Sequence, residues 1–357
     1  MRILFILGML CFHHTISQAQ EVIGGRNFNN VTVTSSSSAA TSPDENTITE
    51  AGLSPNLNAS SRFLAQAAFG ADYENIMSTA EIGFEEWLDN QLNLPVGFSL
   101  KGYVDDLVQI RKDSTAANGE DPSEVGPRST YWRYAWWQYV MASPDIVRSR
   151  IALALSEILV ISDVPDLEDE PLGLASYYDV LLKHSLGNYR DLLYDVTLHP
   201  CMGLYLTHLR NEKTNREDNR YPDENYAREV KQLFSIGLYK LNLDGTQQLD
   251  GNGEPIDTYD NDDIAEFAKI FTGLSWGDSE TFRNGPKSDT SYAIPMKMYD
   301  GSHEPGVKYL LNGEYVPNRN PVDGLADISD AVDNLFNHPN VGPFLARRLI
   351  QRLVKSN

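Results

Sequence analysis

Asp223, Glu224, Asn225, Arg228 and Glu229 fall within seven consecutive positions of YPDENYAREVKQLFSIG, residues 221 to 237. Carboxylates beside an amide and a guanidinium are ingredients of acid–base chemistry, because a desolvated carboxyl group holds its proton more tightly and can then give and take it near neutral pH. The same residues also suit a capped helix with a charged outer face. Projection at about 100° per residue sorts them. With Tyr226 at zero, Val230, Leu233 and Gly237 form an apolar stripe, with Phe234 and Ala227 at its margin. Glu224, Arg228, Lys231 and Ser235 project opposite, so Glu224 and Arg228 are expected to form a surface ion pair. Asn225, Glu229 and Gln232 form a half-buried polar row at the stripe's edge. There Glu229 is either an acid or base, or an acceptor that locks a neighbouring loop.

HEPGVK, residues 303 to 308, is the natural loop for that contact: His303 and Lys308 can donate to a carboxylate and Gly306 permits a tight turn. The candidate catalytic set is Glu229 with His303 as an acid–base pair, and Asn225 and Arg228 beside them. The other histidines outside the leader, His184, His199, His208 and His338, have no H-E-x-x-H or other metal spacing, and G-x-S-x-G, Walker and G-x-G-x-x-G patterns are missing. Asp250-x-Asn252-x-Glu254 resembles the start of a calcium loop but has Pro255 where an EF-hand needs glycine. No metal or cofactor is expected. Cys201 beside His199 is read as part of a buried helix junction in preference to a thiol nucleophile. Tyr131, Trp132, Tyr134, Trp136, Trp137 and Tyr139 are either a sugar-stacking platform or core, and their helical spacing favours core.

These residues need elements to position them. Residues 1 to 19 read as a secretory signal peptide: Arg2, an apolar run from Ile3 to Phe12, then Ser17 and Ala19 at the cleavage site. That run is too short to span a bilayer, and no later segment is long enough. Residues 20 to 58, rich in Ser, Thr and Asn, read as a disordered leader. From residue 59 onward helical signals dominate. They predict helices over SSRFLAQAAFG with a Ser cap, ADYENIMSTAE, IGFEEWLDNQLNLP, a long buried helix begun by Ser143 and Pro144, SLGNYRDLLYDVTLHP capped by Asn188, and NDDIAEFAKIFTGLSW capped by Asn261. Residues 112 to 129 read as a polar loop, TQQLDGNGEPIDTY as a small β-hairpin, and residues 277 to 323 as loop-rich. Two helices broken at His338-Pro339 close the chain. The fold class is mainly α, a multi-helix globular domain with a small β-hairpin.

At 357 residues and 41% hydrophobic, the chain has enough apolar mass for a packed core. Signal cleavage removes Cys11 and leaves Cys201 without a partner, so stability has to come from packing. The net charge of −21 repels phosphate backbones, which argues against nucleic acid and anionic membranes as partners.

Seven segments, in order, resemble the bacterial domain of unknown function 1800 family: RFLAQAAFG, GFEEWLDNQL, GNYRDLLYDVTLHPCMGLYL, DENYAREVKQLFSIGL, DDIAEFAKIFTGLSW, HEPGVK and LFNHPNVGPFLARRLIQRLV. The resemblance covers nearly everything after residue 60. It implies a mainly helical exported protein, periplasmic, outer-surface or extracellular, without an assigned activity. It also implies a domain incomplete at its C-terminus, and a sulfatase-like exported protein of the domain of unknown function 1501 family as a partner. Where many relatives carry a Trp-His-Asn-His-like stretch, this chain has LSEILVIS, residues 155 to 162, which argues against a histidine-based metal site there. Two functions follow as expectations: an envelope-associated scaffold or partner-binding protein, or a hydrolase or lyase using Glu229 with His303.

Overall fold

The computed structural model describes residues 21–23, 31–33, 55–163 and 166–355. The expected signal peptide and most of the expected leader lie outside the described residues. Within the leader, β1 (Glu21–Ile23) and β2 (Val31–Val33) pair antiparallel, with Val22 opposite Thr32. The chain divides into two compact units, Met1–Asn93 and Leu94–Asn357.

In the first unit, α1 (Pro55–Ala67), α2 (Tyr73–Ile82) and α3 (Phe84–Asn93) pack in sequence. α1 begins at Pro55, so the expected cap Ser60 lies inside the helix and is buried. Asp72 caps α2 by accepting from Asn75 N at 2.8 Å. Phe63 of α1 stacks on Phe84 at 4.5 Å and meets Trp87 edge-on at 5.4 Å, which fastens α3 to α1 through aromatic area.

The second unit holds α4 (Leu100–Ala117), α5 (Tyr131–Ala142), α6 (Ile146–Ser156), α7 (Pro171–His184), α8 (Tyr189–Thr197), α9 (Pro200–Tyr205), α10 (Asn225–Gln232), α11 (Asn261–Ile270), α12 (Gly324–Phe336) and α13 (Val341–Leu353). α7 is the central element: α4, α5, α6 and α8 all pack on it, and Tyr177, Leu181 and Leu182 on it are fully buried. α8 in turn meets α12, α11 packs on α10 and α12, and α13 packs on α6. β3 (Leu274–Ser275) pairs with β4 (Lys297–Met298), and β5 (Lys308–Tyr309) with β6 (Tyr315–Val316), all antiparallel. The domain is therefore mainly α with small β pairings, as expected. No helix among the described residues is long and apolar enough to cross a membrane.

Besides the start of α1, four boundaries differ from the sequence reading. α4 runs through Ala117 and so absorbs the start of the expected loop. Ser143 ends α5 and donates to Asp145, so the next helix starts at Ile146 and not at Pro144. Pro200, expected to stop α8, also opens α9, whose cap His199 accepts from Cys201 N at 3.2 Å. α11 is capped by Asp260, one residue before Asn261, because Asp263 returns a bond to the Asp260 backbone and completes a capping box. The hairpin does form: Leu249 bridges Pro255 around Gly251-Asn252-Gly253. At its turn, Asp250 Oδ1 accepts from Asn252 N and Glu254 N.

Candidate functional site

α10 carries the residues that drew attention in the sequence. Tyr226, Ala227, Val230 and Phe234 are buried, which matches the projected stripe. Glu224 and Arg228 lie 3.3 Å apart, both well exposed, as the surface pair expected of them. Leu233 departs from the stripe and is 38% exposed. The cause is the helix end: Phe234 N bonds to Glu229 O, and Ile236 N and Gly237 N both bond to Lys231 O, so the 100° projection stops applying after Gln232.

Lys231, projected to face solvent, is completely buried. α11 covers it: Nζ lies 3.9 Å above the Phe267 ring, 5.7 Å from the Tyr259 ring and 3.4 Å from the Asp263 carbonyl. Burial pushes its pKa down to about 7, against the upward pull of Asp263.

Glu229 sits half-buried on the edge of α10, as projected. Its Oε2 is buried and accepts no hydrogen bond from the described residues, and burial raises its pKa against the opposing charge of Arg228. Gln232, in the same row, accepts from Tyr259 Oη at 3.3 Å. Asn225 is exposed, and its backbone N–H donates to Asp223 Oδ1 at 2.8 Å. That oxygen also accepts from Thr207 Oγ1, while Asn211 bonds both the N–H and the carbonyl of Asp223. Thr207 and Arg210 hold φ of +63°, a region that costs an L-residue on the order of 1–2 kcal/mol, and these bonds hold Thr207 there.

The HEPGVK loop does clamp a carboxylate, and that carboxylate is Asp327 of α12. His303 Nε2 lies 3.0 Å and Lys308 Nζ 2.5 Å from Asp327 Oδ2, and Arg319 donates to Oδ1. His303 Nδ1 meets the Thr272 carbonyl at 2.8 Å, so both ring nitrogens are occupied and neither pairs with Glu229. Burial pushes the Asp327 carboxyl up, but the bonds and charges of His303 and Lys308 outweigh it and its pKa is lowered. His303, Lys308 and Asp327 are each buried to within 2%. A side chain on Gly324 would come within 3.0 Å of His303 Cγ, and one on Gly273, whose φ is +87°, within 3.0 Å of its backbone N. Both glycines let the chain close over the imidazole. Glu304 of the same loop accepts from Thr214 N.

Sequence reasoning missed Asp327, although a signal was present: Asp327, Ala331 and Asn334 share one helical face, and all three are buried. Cys201 is buried with Sγ 3.8 Å from the Tyr292 carbonyl, and burial raises its pKa. His199 is pushed down to about 3 by burial. Both belong to the helix junction the sequence suggested.

The aromatic run divides in two on α5. Tyr131, Trp136 and Tyr139 are core, and Trp132 and Trp136 pack against Tyr178 of α7 at 5.5 and 5.2 Å. Tyr134, Trp137 and Met141 point outward, with exposures of 56%, 57% and 74%. At spacings of three and four residues they form one row. Arg133 borders it, ion-paired to Asp163.

Compared with known proteins, residues 62–357 match one family model, described as a protein of unknown function, DUF1800. No curated protein and no solved structure matches.

Proposed function

Since the chain belongs to the DUF1800 family, whose description assigns no activity, we propose from its own surfaces that it is an exported, envelope-associated scaffold that works by binding a partner protein. The outward row Tyr134, Trp137 and Met141 carries this reading. Large apolar side chains gathered on one exposed helix face cost solubility and mark interaction surfaces, and Trp and Tyr are the side chains that supply most interface energy. Export is supported by Arg2, the apolar run from Ile3 to Phe12 and the small residues at 17 and 19. The sulfatase-like exported family suggested by the resemblance is the first partner to test.

A second reading keeps Glu229 as an acid or base, favoured by its raised pKa and its unbonded oxygen. In that reading Glu229 works without His303, whose nitrogens are spent on Thr272 and Asp327. One experiment separates the two: capture of the partner from envelope extract by wild type, Trp137→Ala and Glu229→Gln. The scaffold reading expects capture lost in Trp137→Ala and kept in Glu229→Gln. Capture kept in both, with a cellular phenotype lost only in Glu229→Gln, would support the chemical reading.

A further inference from the structure

We propose that Arg220 and Arg283, held by Glu212 and flanked by Arg210, form a binding site for a small phosphate monoester. The inference uses residues other than the α5 row and is independent of the partner-binding reading.

Three segments bring these side chains together. Residues 210–213 are pinned by the backbone: Arg210 N donates to Leu274 O at 2.8 Å, Gly273 N to Asn211 O at 2.8 Å, and Lys213 N to Ser302 O at 3.0 Å. Residues 215–220 form a turn in which Asn215 and Arg220 exchange both backbone bonds, while Asn215 Oδ1 accepts from Glu217 N and Asp218 N. In the third segment Phe282 is buried and its carbonyl accepts from Ser275 Oγ at 2.7 Å, and the next side chain, Arg283, is 73% exposed. Fixed backbone spares a ligand the cost of ordering the loops it touches.

Glu212 sits between two guanidiniums. Arg283 Nη2 lies 3.0 Å from each of its oxygens, and Arg220 Nη1 lies 3.0 Å from Oε2. Arg210 Nη2 donates at 2.6 Å to the carbonyl of Asn284, the residue after Arg283, and does so from a backbone at φ +63° that is costly for an L-residue. Three cations against one carboxylate leave two positive charges unbalanced. The donors are not all spent either: Arg220 Nε is buried without an acceptor among the described residues, and Arg283 reaches Glu212 through one nitrogen of its fork. Surface ion pairs stabilise a fold only slightly, so stability gives little reason to gather like charges here.

A phosphate monoester meets these conditions. Its oxygens match guanidinium forks through paired, charge-assisted bonds, and it carries about −1.5 to −2 at neutral pH, which balances the excess. A sulfate ester carries one charge and balances half of it. The net charge of −21 limits the ligand's size: a long polyanion or an anionic bilayer meets the whole acidic surface, whereas a single phosphate within a Debye length of about 8 Å feels chiefly the cations beside it.

The test titrates the full chain by calorimetry in phosphate-free buffer at physiological salt, with circular dichroism to confirm that each variant is folded. The probes are inorganic phosphate, methyl phosphate, methyl sulfate and phosphatidylglycerol vesicles. Both phosphates are expected to bind in the millimolar range or tighter, and methyl sulfate at least about threefold more weakly. Arg283→Gln and Arg220→Gln are each expected to weaken methyl phosphate by about tenfold. The exposure of Arg283 makes its variant safe for folding, so the outcome does not depend on Arg220 alone. Glu212→Gln removes a charge that repels the ligand and is expected to tighten binding by about fivefold, which a purely structural ion-pair network would not do. Failure of wild type to bind either phosphate, binding indifferent to Arg283→Gln, or binding weakened by Glu212→Gln in a folded protein overturns the site. Methyl sulfate bound as tightly as methyl phosphate overturns the choice of phosphate. Inorganic phosphate bound with methyl phosphate inert overturns the ester in favour of the free ion, and Arg283-dependent binding of vesicles alone overturns the small ligand in favour of a lipid headgroup.

Discussion

His303 Nε2 lies 3.0 Å from Oδ2 of Asp327, in a site where both side chains are almost fully buried. Lys308 and Arg319 share the same carboxylate, so one acid on α12 fixes both the HEPGVK loop and the approach to the helix. A buried carboxylate ringed by cations is most costly to remove from the acid side, because deletion strands the cations in low dielectric.

Asp327→Ala is accordingly expected to lose about 3–5 kcal/mol in urea unfolding, and Asp327→Asn less, since it keeps an acceptor. The pH dependence follows from its lowered pKa. Stability from this group is fully present above the unfolded carboxyl value of about 4 and is lost as pH falls through the folded value. The gap between wild type and Asp327→Ala should therefore narrow below about pH 4. A loss under about 1 kcal/mol at neutral pH would contradict the clamp.

Lys231 gives the opposite sign. Its folded pKa of about 7 lies below the unfolded value of about 10.4, so between these limits the unfolded chain binds more protons and stability rises with pH. Lys231→Met removes the buried ammonium and keeps the stem's contact with Phe267. It is expected to be more stable than wild type at pH 7 by up to a few kcal/mol, an order-of-magnitude figure. That gain should shrink as pH approaches 9. Thermal unfolding of both proteins from pH 6 to 9 checks it, and a constant offset across the range would rule it out.

For Glu229, a raised folded pKa means a contribution that is present in acid and lost as pH rises through that folded value. Glu229→Gln is expected to match or slightly exceed wild-type stability at pH 7, by no more than about 1 kcal/mol after allowing for solvent screening. A loss of about 2 kcal/mol or more would show that the carboxylate is a loop lock after all.

Glu224 and Arg228 are both exposed, and a double-mutant cycle to alanine is expected to give a coupling below about 0.5 kcal/mol. A larger value, or one insensitive to salt, would mean that the pair is held in a less aqueous setting than its exposure indicates.

Helix positions were legible in the sequence wherever apolar period and cap residue agreed, as with Asn188 before Leu192, Leu193 and Val196. Caps slipped by a few residues where two polar candidates adjoin, as at Asp260 and Asn261, because only the three-dimensional return bond from Asp263 decides between them. The half-buried placement of Glu229 and Gln232 followed from α10 alone, whereas Asn225, projected into the same row, is exposed at the start of the helix. Burial of Lys231 did not, because it depends on Phe267 and Tyr259, which arrive from a separate part of the chain. The loop's donors were recognisable by type, but their acceptor was not: Glu229 and Asp327 are both acids at the margin of an apolar stripe, and only packing of α12 on α11 selects Asp327. For the aromatic run, spacing indicated core, and half of it is core. Tyr134 and Trp137 face outward, because among the described residues nothing covers that side of α5.

Partner binding through the outward face of α5 can be read by site-specific photo-cross-linking at position 137. A benzophenone side chain replacing Trp137 in the full-length protein, irradiated in cells that express it, is expected to give one dominant adduct. That adduct should disappear when Met141→Glu is added and persist when Glu229→Gln is added. No adduct from position 137, or an adduct lost with Glu229→Gln and indifferent to Met141→Glu, would mean that this face of α5 is not a binding surface.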